Sequence, residues 1–231
     1  MTEPKRLPHL PFASAEAVAT YAEGPFRMVP GWADMVGMAD ILLAERVPRD
    51  GRVLVVGAGG GLELKRFAQT HYEWSFEGVD PSRPMLDLAS ATLGPLGARV
   101  RLIEGLVANS SAGPFDGATC LLTLHFVEIE ERRRMLAQIR RRLSPGAPFV
   151  LAHLSFSEVE SERQVWLNRY AAFAVSSGIE PLKAEAAAKA VNERLSIVSP
   201  QRDEEMLREA GFSDVACFYT GLAFCGWVAL A

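Results

Sequence analysis

Residues 53–61 read Val53-Leu54-Val55-Val56-Gly57-Ala58-Gly59-Gly60-Gly61, an apolar run that stops abruptly in glycine. Four aliphatic residues in a row suit a strand buried on both faces. The glycines at 57, 59 and 61 let the backbone turn with positive φ and let a ligand lie against bare main chain. Leu64, Phe67 and Ala68 then recur at helical spacing within 62–70. Strand, glycine turn and helix in that order open a nucleotide-binding unit. A glycine cluster alone would also fit a plain tight turn, so the next segment decides.

That segment is a second strand over 75–79 that ends in Asp80, 23 residues beyond Gly57. An acid at this spacing suits paired hydrogen bonds to the two ribose hydroxyls of an adenosine cofactor. Its other reading is a cap for the Pro81-Ser82 turn and the helix behind it. The loop also separates two cofactors. A dinucleotide fingerprint, Gly-x-Gly-x-x-Gly, needs glycine at position 62, which is Leu62 here. Gly-x-Gly-x-Gly instead points to S-adenosylmethionine (SAM).

Working outward, strands and helices keep alternating. A helix over 84–93 opens at Pro84, as the first turn of a helix tolerates. Strands follow over 99–103 and 116–123. A helix over 130–143 places Met135, Leu136, Ile139 and Leu143 on one face, and Ser144-Pro145-Gly146 turns into a fifth strand over 148–154. Such alternation is the pattern of a parallel sheet with helices on both faces. The pattern then breaks. Residues 157–198 read as about two helices, Ala-rich from 184 to 190, and a helix over 202–210 stops at Gly211. Runs over 214–219 and 224–230, joined by a Thr220-Gly221 turn, read as a terminal antiparallel hairpin. Ahead of the sheet lie a proline-rich arm over 1–13 and a short helix over 14–23. Breaks at Pro25 and Pro30-Gly31 follow, then an amphipathic helix over 32–47 carrying Trp32, Met35, Val36, Ala39, Leu42 and Leu43. We expect one domain over 1–231: an N-terminal helical cap (1–50), a nucleotide-binding core (51–156), a helical insert or lid (157–198), and a last helix with its hairpin (199–231).

Composition narrows the function. A chain of 231 residues, 49% apolar, is large enough for one α/β domain with a sizeable core. A net charge of −4 gives no global steering toward nucleic acid, which leaves a small-molecule substrate as the expected partner. A homodimer is the one assembly left open. Cys120, Cys217 and Cys225 form no CxxC pair and sit among apolar residues, so we expect free, buried thiols and no metal. No run approaches a membrane span and residues 1–10 lack a signal peptide's apolar stretch, so the expected location is the cytoplasm.

The strings VLVVGAGGG, EGVDPS, RLIEGL, FDGATCLLTLHFV and RRLSPGAPFVLAHL, in this order, resemble the class I SAM-dependent methyltransferases over nearly all of residues 50–231. The resemblance implies a Rossmann-like α/β fold with a seven-stranded sheet in the order 3-2-1-4-5-7-6, strand 7 antiparallel. It also implies a SAM site lined by Gly57, Ala58, Gly59, Gly61, Asp80, Pro81, Met85, Gly105, Leu106 and Thr123. A closer likeness lies outside the sheet. Met28-Val29-Pro30-Gly31-Trp32, Leu122-Thr123-Leu124-His125-Phe126-Val127 with Glu131-Arg132, the long insert, and Ala210-Gly211-Phe212 with 226–230 resemble the carboxy-S-adenosylmethionine synthase family. That family makes a carboxylated SAM used in bacterial tRNA wobble-uridine modification. Arg27 matches one of its arginines and is a candidate partner for a cofactor or substrate carboxylate.

The departures carry as much weight. The family's carboxylate-binding tyrosine corresponds to Trp32, and its arginine falls near Ala188, with only Lys189 close by. Lysine offers a point charge rather than a bidentate fork. The acid usual in methyltransferases two residues before the first glycine is Val55, and the acid usual after strand 3 is Leu106. The function expected is methyl transfer from SAM to a small-molecule acceptor. The alternatives are a carboxy-SAM synthase-like enzyme or user of modified SAM, and a non-catalytic SAM-fold binding protein.

Among catalytic candidates, His125 after strand 4 and His153 at the end of strand 5 lie where open α/β sheets bind ligands. His125 is the candidate base, with a packing histidine as its other reading. Methyl transfer from a sulfonium can also proceed by in-line positioning alone. Trp32, Phe126, His153, Trp166, Tyr170 and Lys189 are the expected substrate-pocket residues. Arg132, Arg133, Arg134, Arg140, Arg141 and Arg142 crowd one helix, either as a solvated face beside Glu128, Glu130 and Glu131 or as a phosphate patch.

Overall fold

The computed structural model describes Val18 and residues 24–231. The expected arm over 1–13 and, apart from Val18, the expected helix over 14–23 lie outside the described residues. Seven strands form one sheet: β1 (Arg52–Val56), β2 (Ser75–Asp80), β3 (Val100–Glu104), β4 (Gly117–Leu121), β5 (Pro148–Leu154), β6 (Ser213–Gly221) and β7 (Phe224–Leu230). Their order is β3-β2-β1-β4-β5-β7-β6. The first five run parallel, while β7 is antiparallel to both β5 and β6. Pro148 pairs with Leu230 and Leu154 with Phe224, so the hairpin lies against the full length of β5.

From residue 24 on, the α-helices are α1 (Gly24–Met28), α2 (Trp32–Ala44), α3 (Leu62–Thr70), α4 (Arg83–Leu93), α5 (Ile129–Arg142), α6 (Glu160–Ser176), α7 (Pro181–Arg194) and α8 (Pro200–Glu209). They cover the two sheet faces as two apolar layers. One layer gathers Val53, Val55, Leu64, Phe67, Val150 and Tyr170; the other gathers Leu54, Val56, Leu136, Phe149, Met206 and Trp227. Consecutive strand residues thus enter opposite layers, as the two-residue strand period requires. No helix among the described residues is long and apolar enough to cross a membrane.

Several boundaries differ from the expectation. The amphipathic helix ends at Ala44, not 47, because the chain must leave the helical region ahead of Pro48. The fourth strand stops at Leu121, since Leu122 turns to φ 55 and donates its N–H to the Ala152 carbonyl. Thr220 and Gly221 belong to β6 and pair with Cys225 and Phe224. The hairpin turn is therefore Leu222-Ala223, with Leu222 at φ 54, rather than the Thr220-Gly221 turn expected.

The expected two-helix insert is α6 and α7. It leaves the end of β5 and returns where the Phe156 N–H meets the Val198 carbonyl. Leu167, Tyr170 and Val191 join Val29, Met35 and Val36 in one apolar layer, so the insert rests on the N-terminal helices. A buried ionic cluster anchors its exit. The Arg132 guanidinium reaches Asp203 at 3.3 Å and the Ser196 carbonyl at 2.6 Å, and all of its side chain is buried. Most of the other arginines on this helix also have partners within the protein. Arg133 pairs with Glu130 and Glu209, Arg134 with Glu131, and Arg140 bonds the Gly211 carbonyl.

Candidate cofactor and substrate site

The site begins where β1 runs out. Gly57, Gly59 and Gly61 all take positive φ, at 73°, 48° and 77°. Gly57 has a second reason to be glycine: a Cβ there would lie 2.6 Å from Thr123 Cγ2 and 2.7 Å from Thr123 Cβ. The loop after β1 is thus pressed against the segment after β4. Gly61 ends the loop and opens α3, which has no side-chain cap. The first N–H groups of α3 have no carbonyl to bond, and they create a positive end facing the loop.

Asp80 organises the neighbouring strand end. Its Oδ2 accepts the Gly59 N–H at 3.0 Å and its Oδ1 accepts the Ser82 N–H at 2.8 Å. Burial pushes its carboxyl above the ordinary aspartate value, and these two N–H groups oppose the shift. Each oxygen keeps a lone pair, so the carboxylate can take two ribose hydroxyls while it braces the loop. Pro81 is half-buried, and the Ser82 hydroxyl accepts the Met85 N–H at 3.3 Å, which seats buried Met85 at the start of α4. Gly105 continues from β3 and donates its N–H to the Asp80 carbonyl at 3.0 Å. Leu106 beside it is 49% exposed, with its N–H held by Asn109. Thr123 donates its hydroxyl to the Leu121 carbonyl. Gly57–Gly61, Asp80, Gly105, Leu106 and Thr123 therefore converge on the carboxyl ends of β1 to β4.

The substrate candidates scatter more widely. Trp32 is half-buried against Phe26, ring centroids 4.3 Å apart, and Arg27 is exposed on α1. Phe126 is exposed and rests on His125 at 4.3 Å. Tyr170 is buried near Phe224, and burial pushes its phenol up to about 12. Trp166 is half-buried beneath the Arg169 guanidinium and lines a cleft of about 420 Å³ with Ser155, Phe156, Glu204, Thr220 and Trp227. Trp32, Phe126 and Tyr170 do not line that cleft. Two pocket expectations are corrected outright. His153 is wholly buried with Nε2 3.3 Å from Asp203, so it is a core residue of the Arg132 cluster. Lys189 points to solvent and pairs with Glu193 at 3.8 Å, because the faces of α7 that meet the core carry Ala184 and Val191 instead.

His125 is also buried. Its Nδ1 accepts the Leu154 N–H at 3.3 Å, and burial, then His153 and Arg132, hold its pKa well below the ordinary histidine value. It is neutral and keeps the β5 end in place. Cys120 and Cys225 are buried as expected, with burial pushing both thiols up to about 12, but Cys217 is exposed. Among the described residues no three His, Cys, Asp or Glu side chains could hold a metal. Sequence reading passed over Glu63, at the second position of α3. It is buried, and its carboxyl is pushed up to about 8 by burial first and by Asp80 second. An acid in the first turn of a helix is ordinarily an exposed partner of the dipole, so nothing in the spacing marked it.

Comparison with known proteins agrees with this architecture. Residues 53–146 match a methyltransferase domain model. A carboxy-S-adenosyl-L-methionine synthase of Chromohalobacter salexigens is 28% identical over 219 residues, covering 93% of this chain and 81% of that protein. An O-methyltransferase family protein from Burkholderia thailandensis has a similar structure, with a TM-score of 0.66 at 18% identity over 96% of this chain and 63% of that one. Human N-acetylserotonin methyltransferase in complex with SAM superposes with a TM-score of 0.63 at 12% identity, over 99% of this chain and 60% of that one. The chain thus spans about three fifths of each of these two solved structures. SAM is the cofactor this domain and fold are built around, and the glycine loop with Asp80 fits it. The chain carries a methyltransferase domain, has the class I SAM-dependent methyltransferase fold, and is a distant relative of the carboxy-SAM synthases.

Proposed function

We propose that this protein transfers the methyl group of SAM to a small-molecule acceptor, with α6 and α7 as the lid over the acceptor. The observation that carries the reading is the convergence of Gly57–Gly61, Asp80, Gly105 and Thr123 at the carboxyl ends of four parallel strands. When bound, SAM supplies an electrophilic methyl on a sulfonium. The chain's own residues bind and align. Asp80 holds the ribose, the bare loop accepts the cofactor's backbone-facing edge, and the apolar layer shared by the insert and α2 excludes water. Of the aromatic candidates, Trp166 lines the cleft beside the insert, and it favours an apolar or weakly acidic acceptor. We place no homodimer contact in the site and expect no nucleic-acid partner.

A second reading, carboxy-SAM synthesis, is favoured by the 28% identity across 93% of the chain. Against it, Trp32 has no hydroxyl to donate and Lys189 is turned to solvent. A buried carboxylate without a fixed partner is strongly disfavoured. Mass analysis of the nucleotide after incubation with SAM, with and without prephenate, separates the two readings. Unchanged SAM in both arms, with S-adenosylhomocysteine formed once a panel of small phenols and carboxylic acids is added, supports methyl transfer. Conversion to carboxy-SAM with prephenate would overturn it.

A further inference from the structure

The buried carboxyl of Glu63 has no role in the site described so far. It belongs to the helix that follows the glycine loop, two residues after Gly61, and is 7% exposed. No ion pair among the described residues involves it, and its carboxyl turns back to its own N–H. Asp80 on β2 raises its carboxyl further, and Glu63 in turn raises the Cys120 thiol on β4. β2 and β4 are the two neighbours of β1 in the sheet. Two residues beyond Gly61 in the first turn of α3, this buried carboxyl lies beside the loop that leaves β1. Burying an acid with no cationic partner is costly, and such groups concentrate where a ligand completes them.

SAM's chemistry supplies the missing partner. Its adenosine end presents two hydroxyls, which Asp80 takes, and its amino-acid end presents an ammonium. Of the other acids at these strand ends, Glu104 closes β3 and is exposed to solvent. Val55, on β1 itself, is apolar and packs in the same layer as Leu64 and Phe67 of α3. Glu63 is the buried carboxyl that remains. We infer that Glu63 binds the α-ammonium group of the cofactor, and that it releases a proton to solvent as the cofactor enters. This rests on the cofactor reading above. The free protein carries the neutral acid at pH 7, because burial pushes the group up to about 8. An arriving ammonium favours the carboxylate, so the acid's proton passes to buffer. The Cys120 thiol, pushed up to about 12, stays protonated throughout.

Calorimetry tests this with two probes, S-adenosylhomocysteine and 5′-methylthioadenosine, the second of which keeps the ribose and lacks the ammonium. Titrations at pH 7 in phosphate and in Tris, which differ in ionisation heat, count protons released. For S-adenosylhomocysteine the wild type should release about 0.9 proton at pH 7 and bind about tenfold more tightly at pH 7 than at pH 6. Glu63→Gln should bind it more weakly, with no proton release and no such pH trend. 5′-Methylthioadenosine should bind both proteins alike without proton release, which separates Glu63 from Asp80. Should Glu63→Gln fail to fold, the contrast between the two probes on wild type decides. Binding of S-adenosylhomocysteine without proton release, or release of equal size with both probes, overturns the inference alone. No binding of either probe by wild type overturns the cofactor reading and the inference with it.

Discussion

Gly57→Ala probes the contact on which the cofactor loop depends. Gly57 sits at φ 73, and a Cβ there would stand 2.6 Å from Thr123 Cγ2 and 2.7 Å from Thr123 Cβ, with Oγ1 nearer still. Left-handed backbone costs a residue with a side chain roughly 1–2 kcal/mol. Forcing a methyl into a packed contact costs about 1–3 kcal/mol more. The loop cannot yield freely, because the Gly57 and Ala58 N–H groups both bond the Val79 carbonyl and Gly59 is held by Asp80. The expected loss is about 2–5 kcal/mol of folding stability in urea unfolding followed by tryptophan fluorescence. Thr123→Gly removes all three colliding atoms. In a double-mutant cycle it should recover the overlap part, about 1–3 kcal/mol, and leave the backbone part. A Gly57→Ala protein within about 0.5 kcal/mol of wild type, or a cycle with no coupling, would refute the reasoning.

Two further outcomes follow from buried ionisable groups. Glu63 titrates near 4.5 when unfolded and is pushed up to about 8 by burial. Its stabilising contribution is therefore complete below pH 4.5 and lost as pH rises through 8; relative to Glu63→Gln, wild type should lose about 2 kcal/mol between pH 6 and 8, and parallel pH curves would contradict this. For the thiols, only Cys217 is exposed, so one thiol should react with a chromogenic disulfide reagent in the native protein and three in urea; a second fast native thiol would show that Cys120 or Cys225 is not buried.

The parts of the fold that the sequence made legible are those where one period dominates. The β1 run, its glycines and the helix at 62–70 are found where expected, as are the 148–154 and 224–230 strands that pair along their length. Errors fall at places governed by a single backbone angle. Leu122 and Leu222 both take positive φ, which leucine propensity does not foretell, and each shifted a strand end or a turn. The placement of the glycine loop and Asp80 at neighbouring strand ends was legible because glycines and an acid at fixed spacing are position-specific signals. The substrate half was not. His153 was placed by its position at the end of β5 and Lys189 by the family resemblance, yet burial beside Asp203 claims one and the outer face of α7 claims the other. Which side of an insert helix faces inward depends on partners distant in sequence, here Val29, Met35 and Val36.

The histidines bear on mechanism through what they cannot do. A general base must reach the acceptor's proton and must be able to hold it. His125 is committed by Nδ1 to the Leu154 N–H, and burial, His153 and Arg132 all disfavour its protonated form. His153 has no exposed surface and faces Asp203 inside the core. Neither can carry a proton away from an acceptor in this arrangement. A transfer driven by the electrophilicity of a sulfonium asks the protein for alignment and water exclusion instead. The parts that supply alignment are the rigid ones: a glycine loop pressed on Thr123, a carboxylate bonded to two backbone N–H groups, and an insert packed onto the N-terminal helices. On the reading proposed above, the carboxylic acids of the test panel, whose nucleophile is already ionised at neutral pH, should therefore be methylated faster than its phenols.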